Sequence, residues 1–310
     1  MQKTKILIVY SANSPAAEFI LHGADKGMVS TLKLELKDDY CSKVLFLLFY
    51  LLRLYKLSSC FRFKSNVRTE IARHENQILF WDCCDLYLYK LLDRECNSKT
   101  KKSIFFWNPL DLHNNERVSI NDMISWLKEK KYQLSTFDPS DAQRYKLPLY
   151  LNVNRKVDVP VSENESDFYF VGLPKGRDSL IYDIKKALSS KGYKVNFIIP
   201  QSKSEYISLM QNIVNSSKTR CIVDIVSSKY GQKGLTLRPF DALFLKKKIL
   251  SNCELLDKCD FYHKNNIFIF SKIEDLDEID DFMSKPYHEI DKNIIAKYEI
   301  NNWLTKYYIL

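Results

Sequence analysis

The sequence predicts an α/β protein built from two facing Rossmann-like domains. Three features carry that expectation. Short apolar runs of strand length alternate with helix-period segments along the whole chain. The alternation is interrupted once, at Leu151 to Glu165, a polar and irregular stretch containing Pro160. The second half also contains a strand, loop, helix, strand succession from Cys221 to Asn252, which is the form of a parallel crossover. The predicted N-terminal domain covers residues 1–155 and the C-terminal domain residues 160–290, divided within 155–165. A last helical segment over 290–310 is expected to pack back on the first domain.

Composition is compatible with this plan. Of the 310 residues, 45% are hydrophobic and 27% charged, so each half has enough apolar material for a core. Eight cysteines include the pair Cys83-Cys84, but none is spaced as C-x-x-C or with histidine as in a zinc site. They read as reduced thiols of a cytoplasmic protein, and no metal site is expected. The opening residues lead straight into a strand, with no signal peptide expected. The chain has only seven glycines, and four of them (Gly172, Gly176, Gly231, Gly234) fall in two loops of the second half, where a ligand or a turn would need them.

In order along the chain, Ile6 to Tyr10 is an apolar strand. Pro15, preceded by Asn13 and Ser14 as alternative caps, starts a helix. The loop carrying Ser11 and Asn13 is either a capped turn or part of a binding site. It lacks G-x-G-x-x-G, so it gives little support to a dinucleotide cofactor. Val44 to Leu57 is the most apolar stretch, too short and too charged to span a membrane. Between Lys43 and Arg73 stand seven basic residues against the single acid Glu70, within a formal net charge of +9. The stretch reads either as a buried helix or as an interfacial helix on an anionic membrane surface. Nucleic acid is not the expected partner, because no recognition module accompanies the basic run.

Gln77 to Trp81 and Ser103 to Trp107 are further strands, with a leucine-rich helix between them. Asn108, Asp111 and His113 follow the second strand, where cleft residues stand in such folds. Val118 to Lys131 is helical, and Gln133 to Phe137 is a strand ending at Asp138. Ser140 and Asp141 read as helix caps, and Asp138 as a carboxylate at a strand end. Beyond the interruption, Phe168 to Val171 is a strand. Gly172 to Arg177 is a loop that includes Lys175, and Ser179 to Lys191 a helix. Val195 to Ile199 is a strand and Tyr206 to Val214 a helix. Cys221 to Val226 is a buried strand and the helix after it is expected to restart at Thr236, ending in Lys246, Lys247 and Lys248. Asn266 to Phe270 closes the alternation. The acidic run Glu274 to Asp281 contains a D-x-D triplet but reads as a solvated helix start.

Several of these pieces together resemble a known family. They are Asp224-Ile225, Gly234-Leu235-Thr236-Leu237-Arg238-Pro239-Phe240-Asp241-Ala242-Leu243, Lys247-Lys248, Ser251-Asn252, Phe261-Tyr262 and Asn266-Ile267. With Thr136 to Ala142, and Phe170-Val171-Gly172 followed by Arg177, they are similar to bacterial glycosyltransferases of lipopolysaccharide-core and capsular polysaccharide synthesis. The resemblance covers roughly residues 105 to 305, in the family's order. The chain departs from the family at Asp241, where glutamate is usual, and at Asn108, where an acid is frequent.

The resemblance implies a GT-B architecture and transfer of a sugar from a nucleotide-sugar donor, UDP-linked, to a glycan or lipid-linked acceptor. The enzyme would work in the cytoplasm, peripherally at the inner face of the membrane, without a metal. Gly172, Lys175, Arg177, Gly234, Thr236, Arg238 and Asp241 would hold the donor, with Ser11 and Asn13 as further binding candidates. Free N–H groups at the start of the Arg238 helix are expected to assist on the diphosphate. An inverting reaction needs a base for the acceptor hydroxyl, and Asp138, Asp111 and His113 are the candidates in that order. A non-catalytic sugar-nucleotide or glycan-binding relative is the alternative. A one-domain nucleotide-binding regulator would leave the second alternation unexplained.

Overall fold

The computed structural model describes residues 6–81, 86–113, 119–160, 163–226 and 232–309. They form two compact units. The first comprises residues 1–137, 141–150 and 307–310, and the second residues 138–140 and 151–306. The chain thus changes unit at Tyr150/Leu151, ahead of the Pro160 stretch, and its last residues return to the first unit.

Strands β1 (Ile6–Ser11), β2 (Val29–Leu34), β3 (Gln77–Trp81), β4 (Lys101–Phe106) and β5 (Gln133–Thr136) form the sheet of the first unit. All pair in parallel, in the order β2-β1-β3-β4-β5. Helices α1 (Pro15–Leu21), α2 (Tyr40–Leu51), α3 (Tyr55–Arg62), α4 (Ser65–Arg73), α5 (Leu86–Glu95), α6 (Ile120–Glu129) and α7 (Pro139–Tyr145) connect or follow them. Right-handed crossovers that move in opposite directions along a sheet lie on opposite faces. The β1–β2 connection therefore puts α1 on one face, and the later connections put their helices on the other. On that second face Leu7, Val9, Ile78, Phe80, Ile104 and Phe106 share a core with Phe63, Val67, Tyr89, Leu92 and Leu127.

Helix α1 starts as its sequence requires, with Ser14 Oγ accepting the Ala17 N–H at 3.4 Å. Strand β2 carries a single alternation, V-S-T-L-K-L, too weak for the sequence reading to name. Pairing with β1 makes it a strand. The apolar run Val44 to Leu57 is not one helix. It is the end of α2 and the start of α3, broken at Leu52 to Leu54, where Arg53 adopts a φ of 58°.

The second unit repeats the winding. Strands β6 (Ser166–Val171), β7 (Val195–Ile198), β8 (Thr219–Asp224), β9 (Lys248–Ser251) and β10 (Ile267–Ile269) are all parallel, in the order β10-β9-β8-β6-β7. Numbered within the unit, this is again 2-1-3-4-5. Helix α8 (Asp178–Ser190) packs Ile181, Ile184 and Leu188 on one face with Phe168, Phe170, Cys221 and Val223. Helix α10 (Arg238–Leu245) packs Phe240 and Leu243 on the other with Ile222, Ile249 and Tyr298. Helix α9 (Leu209–Ser217) begins later than its apolar pattern suggested, because Ser208 caps it by accepting the Gln211 N–H at 3.0 Å.

The end of the chain departs from the single helix expected over 290–310. After α11 (Ile279–Ser284) it forms α12 (Lys292–Ala296), α13 (Ile300–Leu304) and one wider π turn. In the first unit, Tyr307 stacks on Tyr150 at 4.0 Å and the Tyr308 hydroxyl lies 2.7 Å from Ser135 Oγ. In the acidic run, Asp275 Oδ2 accepts the N–H groups of Ser271 and Lys272, so this D-x-D triplet is part of a helix cap. Among the described residues no helix is long and apolar enough to cross a membrane.

Candidate functional site

A sheet of order 2-1-3-4-5 has its crevice at the carboxyl ends of its first and third strands, where successive connections leave in opposite directions. In the second unit those are β6, ending at Val171, and β8, ending at Asp224. Asp224 is fully buried there. Its Oδ1 accepts the Thr236 hydroxyl at 2.8 Å and lies 3.2 Å from Arg238 Nη1, and its Oδ2 accepts the Ser251 hydroxyl at 3.1 Å. Arg238 Nη2 donates to the Val171 carbonyl at 2.6 Å, which ties β8 to the end of β6.

Arg177 reaches the same crevice from the β6–α8 loop. Its Nη1 donates to the Ile225 carbonyl and its Nη2 to the Leu173 carbonyl at 3.2 Å. Both guanidinium groups sit over the buried Phe170 ring, 5.1 Å from its centroid for Arg238 and 5.6 Å for Arg177. Gly172 makes this convergence possible. A Cβ there would lie 3.0 Å from Arg238 Nη2, 3.1 Å from Phe170 Cζ and 3.2 Å from Arg177 Nη2. Burial, and then the charge of Arg238, lower the Arg177 pKa to about 10, so it remains a cation at neutral pH. Two guanidinium groups thus face one carboxylate. Among the described residues Arg177 Nε, which is buried, has no hydrogen-bond partner. The two guanidinium groups exceed the charge of Asp224, and Arg177 keeps one donor unused among the described residues.

The start of α10 differs from expectation. The helix begins at Arg238, not Thr236, and its first N–H groups are already in use. Arg238 N–H bonds Thr236 Oγ1 at 3.2 Å, Pro239 has none, and Phe240 and Asp241 donate to the Leu237 carbonyl. Thr236 is occupied by Asp224 and Arg238. Arg238 also has an electrostatic partner inside the fold, Asp224. The more open helix start is that of α8, whose N-cap, Arg177, forms no side-chain cap bond. The turn leading into it has Lys175 at φ 48° and Gly176 at φ 78°.

Asp241 lies buried on the inner side of α10, where Asn154 Nδ2 donates to its Oδ1 at 2.8 Å. Burial raises its pKa to about 7, against the opposing influence of Arg238. Its carboxylate is thus engaged with the segment following the unit change. Asp138, first among the expected bases, is 1% exposed. Its Oδ2 accepts the N–H groups of Lys233 at 2.7 Å and Gly234 at 2.9 Å, and its Oδ1 that of Ser140 at 2.8 Å. A carboxylate holding three N–H groups has most of its acceptor capacity in use. It caps the start of α7, the task expected of Ser140 or Asp141, while Asp141 Oδ2 accepts the Leu110 N–H at 2.8 Å.

In the first unit, Asp111 stands in the turn after β4, half exposed, 3.4 Å from Arg144 Nη1. His113 ends that turn. Ser11 and Asn13 close the turn after β1, with Ser11 Oγ accepting the Asn13 N–H at 3.3 Å. Gly231 lies outside the described residues, as do Cys83 and Cys84.

A cleft of ≈ 460 Å³ opens at the carboxyl ends of β8 and β9, lined by Val226, Lys233, Asn252, Cys253, Glu254 and Lys258 among others. Asn252 Oδ1 accepts the Val226 N–H at 2.7 Å, extending the sheet edge by one side chain. Sequence reasoning missed Asn154, Glu254 and the anchoring role of Asp224. The signal for Asp224 was an acid closing an apolar strand. A cleft of ≈ 470 Å³ in the first unit, lined by Gln77, Lys101, Gln133 and Tyr150, sits at the opposite, amino-terminal strand edge. Among the described residues, no cluster of His, Cys, Asp or Glu could hold a metal ion.

No protein-family model matches the chain, and no curated protein matches it. Solved structures align along nearly its whole length. One is a UDP-GlcNAc 2-epimerase of Methanocaldococcus jannaschii in complex with UDP-GlcNAc and UDP, 10% identical, covering 95% of this chain and 98% of that one, with a TM-score of 0.48. Another is a phage T4 β-glucosyltransferase in complex with UDP and Mn²⁺, 10% identical, covering 94% and 95%, with a TM-score of 0.46. A third is a DNA-modifying β-glucosyltransferase studied with uridine diphosphoglucose, 12% identical, covering 95% and 94%, with a TM-score of 0.44. With scores below 0.5, these likenesses carry nothing about the site, which rests on its own geometry.

Proposed function

We propose that the protein is a glycosyltransferase of GT-B type that moves a sugar from a nucleotide-sugar donor, UDP-linked, to a growing bacterial surface glycan such as lipopolysaccharide or capsule. One observation carries the reading: Arg177 and Arg238 converge over Phe170 at the switch point of the second unit, with Asp224 as the acid paired with Arg238. Two guanidinium groups suit the two phosphates of a leaving nucleoside diphosphate, and they neutralise its developing charge without a metal. The open start of α8 and the Lys175-Gly176 turn add to the same anion site. The cleft beside Asn252 and Glu254 has the volume of a small-ligand site and suits the nucleoside.

The base is assigned to Asp111, with His113 next, since Asp138 is held by three N–H groups. A glycan or lipid-linked acceptor puts the enzyme in the cytoplasm at the inner face of the membrane. The engagement of Asp138 and Asp241 within the fold favours a second reading, a sugar-nucleotide-binding relative without catalysis.

Nucleotide release from UDP-sugars, with and without glycan acceptors, tests the proposal. Transfer that persists in EDTA and falls in Asp111→Asn supports it. Calorimetric UDP-sugar binding without release selects the binder, and neither binding nor release overturns both readings.

A further inference from the structure

The α2–α3 hairpin of the first unit presents an apolar surface that no other described residue covers. None of the twelve residues of α2 is buried. Its inner side packs Phe46 and Tyr50 against the core. Its outer side carries Tyr40, Val44, Leu47, Leu48 and Leu51, spaced as one helical stripe. Leu52, Leu54 and Leu57 continue that surface through the turn and into α3. These eight side chains are 46 to 80% exposed, Leu51 reaching 71%. Apolar residues on both sides explain why the stretch resembles a buried helix in sequence although only one side is covered.

Basic residues accompany the exposed side. Arg53 and Lys56 stand exposed at the turn between leucines, and Lys43 stands on the first turn of α2. From Tyr40 to Leu57 the chain has no acid. Lys43 pairs with Asp38, but among the described residues no ion pair is seen for Arg53 or Lys56.

We infer that this hairpin docks on an anionic lipid bilayer, independently of which sugar the protein handles. The twelve-residue α2, about 18 Å long, lies in the headgroup plane with its leucines toward the acyl chains. Arg53 and Lys56 extend their charged ends to the lipid phosphates. Aliphatic side chains in this number match acyl chains and offer nothing to a nucleic-acid backbone. A second copy of the chain is the competing occupant of this apolar side, and gel filtration reads it.

The test is co-sedimentation of the full chain with phosphatidylglycerol-containing vesicles, against pure phosphatidylcholine. Gel filtration, retention on duplex DNA and calorimetry with UDP run alongside. Binding to the anionic vesicles at low salt is expected, weakened by salt. Arg53→Gln with Lys56→Gln weakens it roughly 25-fold, about fivefold for each charge. Leu51→Glu with Leu52→Glu abolishes it, while melting and UDP binding stay at parental values. The inference is overturned if the parent ignores anionic vesicles, or if the glutamate variant sediments as the parent does. It also fails if the parent is a dimer that the glutamate variant makes monomeric, or if duplex DNA replaces vesicles as the ligand. UDP binding is read separately, so its loss bears on the donor site alone.

Discussion

Arg238 and Arg177 share one ring and one crevice but differ in what the fold asks of them. Arg238 pairs with the fully buried Asp224, so Arg238→Ala strands a carboxylate and is expected to lose roughly 3–5 kcal/mol of stability along with nucleotide binding. Among the described residues Arg177 bonds carbonyls alone, and it stands beside a like charge. Arg177→Ala is therefore the cleaner probe. We expect UDP affinity to fall about 10- to 150-fold by calorimetry, with melting close to the parent's. Unchanged affinity in that variant would remove the diphosphate from this crevice. Asp241 gives a second residue-level test. Its folded pKa is raised, so the native state holds the proton more tightly than the unfolded chain. That contribution is complete below about pH 4 and is lost as the pH rises to about 7. Asp241→Asn should match the parent at pH 4 and exceed it above pH 7, by at most about 4 kcal/mol. Parallel melting curves across that range would show that Asp241 titrates normally.

Several elements end in the left-handed conformation without glycine. Lys131 after α6 has φ 58° and Lys246 after α10 has φ 53°. Both close their helices with backbone bonds to the last turn, Tyr132 N–H reaching Leu127 O and Lys247 N–H reaching Ala242 O. A side chain in that region is strained, and glycine is not. Lys131 is exposed, so Lys131→Gly should stabilise the protein by up to about 1 kcal/mol in denaturant titration. A loss of stability there would mean that the lysine side chain contributes more than its strain costs. The β6–α8 loop uses the same conformation at Lys175 and Gly176 to bring Arg177 back toward the strand end.

For the molecule as a whole, two units with separate cores predict two unfolding events. Scanning calorimetry should resolve two transitions, and UDP should raise only the one belonging to the second unit. A shift of both together would show that the units unfold as one cooperative body.

The strands and most helices were legible because apolar runs and their periods are local properties. The same holds for the position of the candidate residues Gly172, Arg177, Thr236 and Arg238 after strand ends. A helix start with a capping side chain, such as Ser14, depends on nearby residues alone. What stayed hidden depends on partners distant in sequence. Thr236 and Arg238 are turned inward by Asp224, and Asp138 is taken up by the N–H groups of Lys233 and Gly234, 95 and 96 residues away. Composition made α2 apolar, but only the packing of α3 to α5 decided that one of its sides would remain uncovered. A hydrogen bond or a buried face needs a second surface, and the chain places that surface only once it has folded.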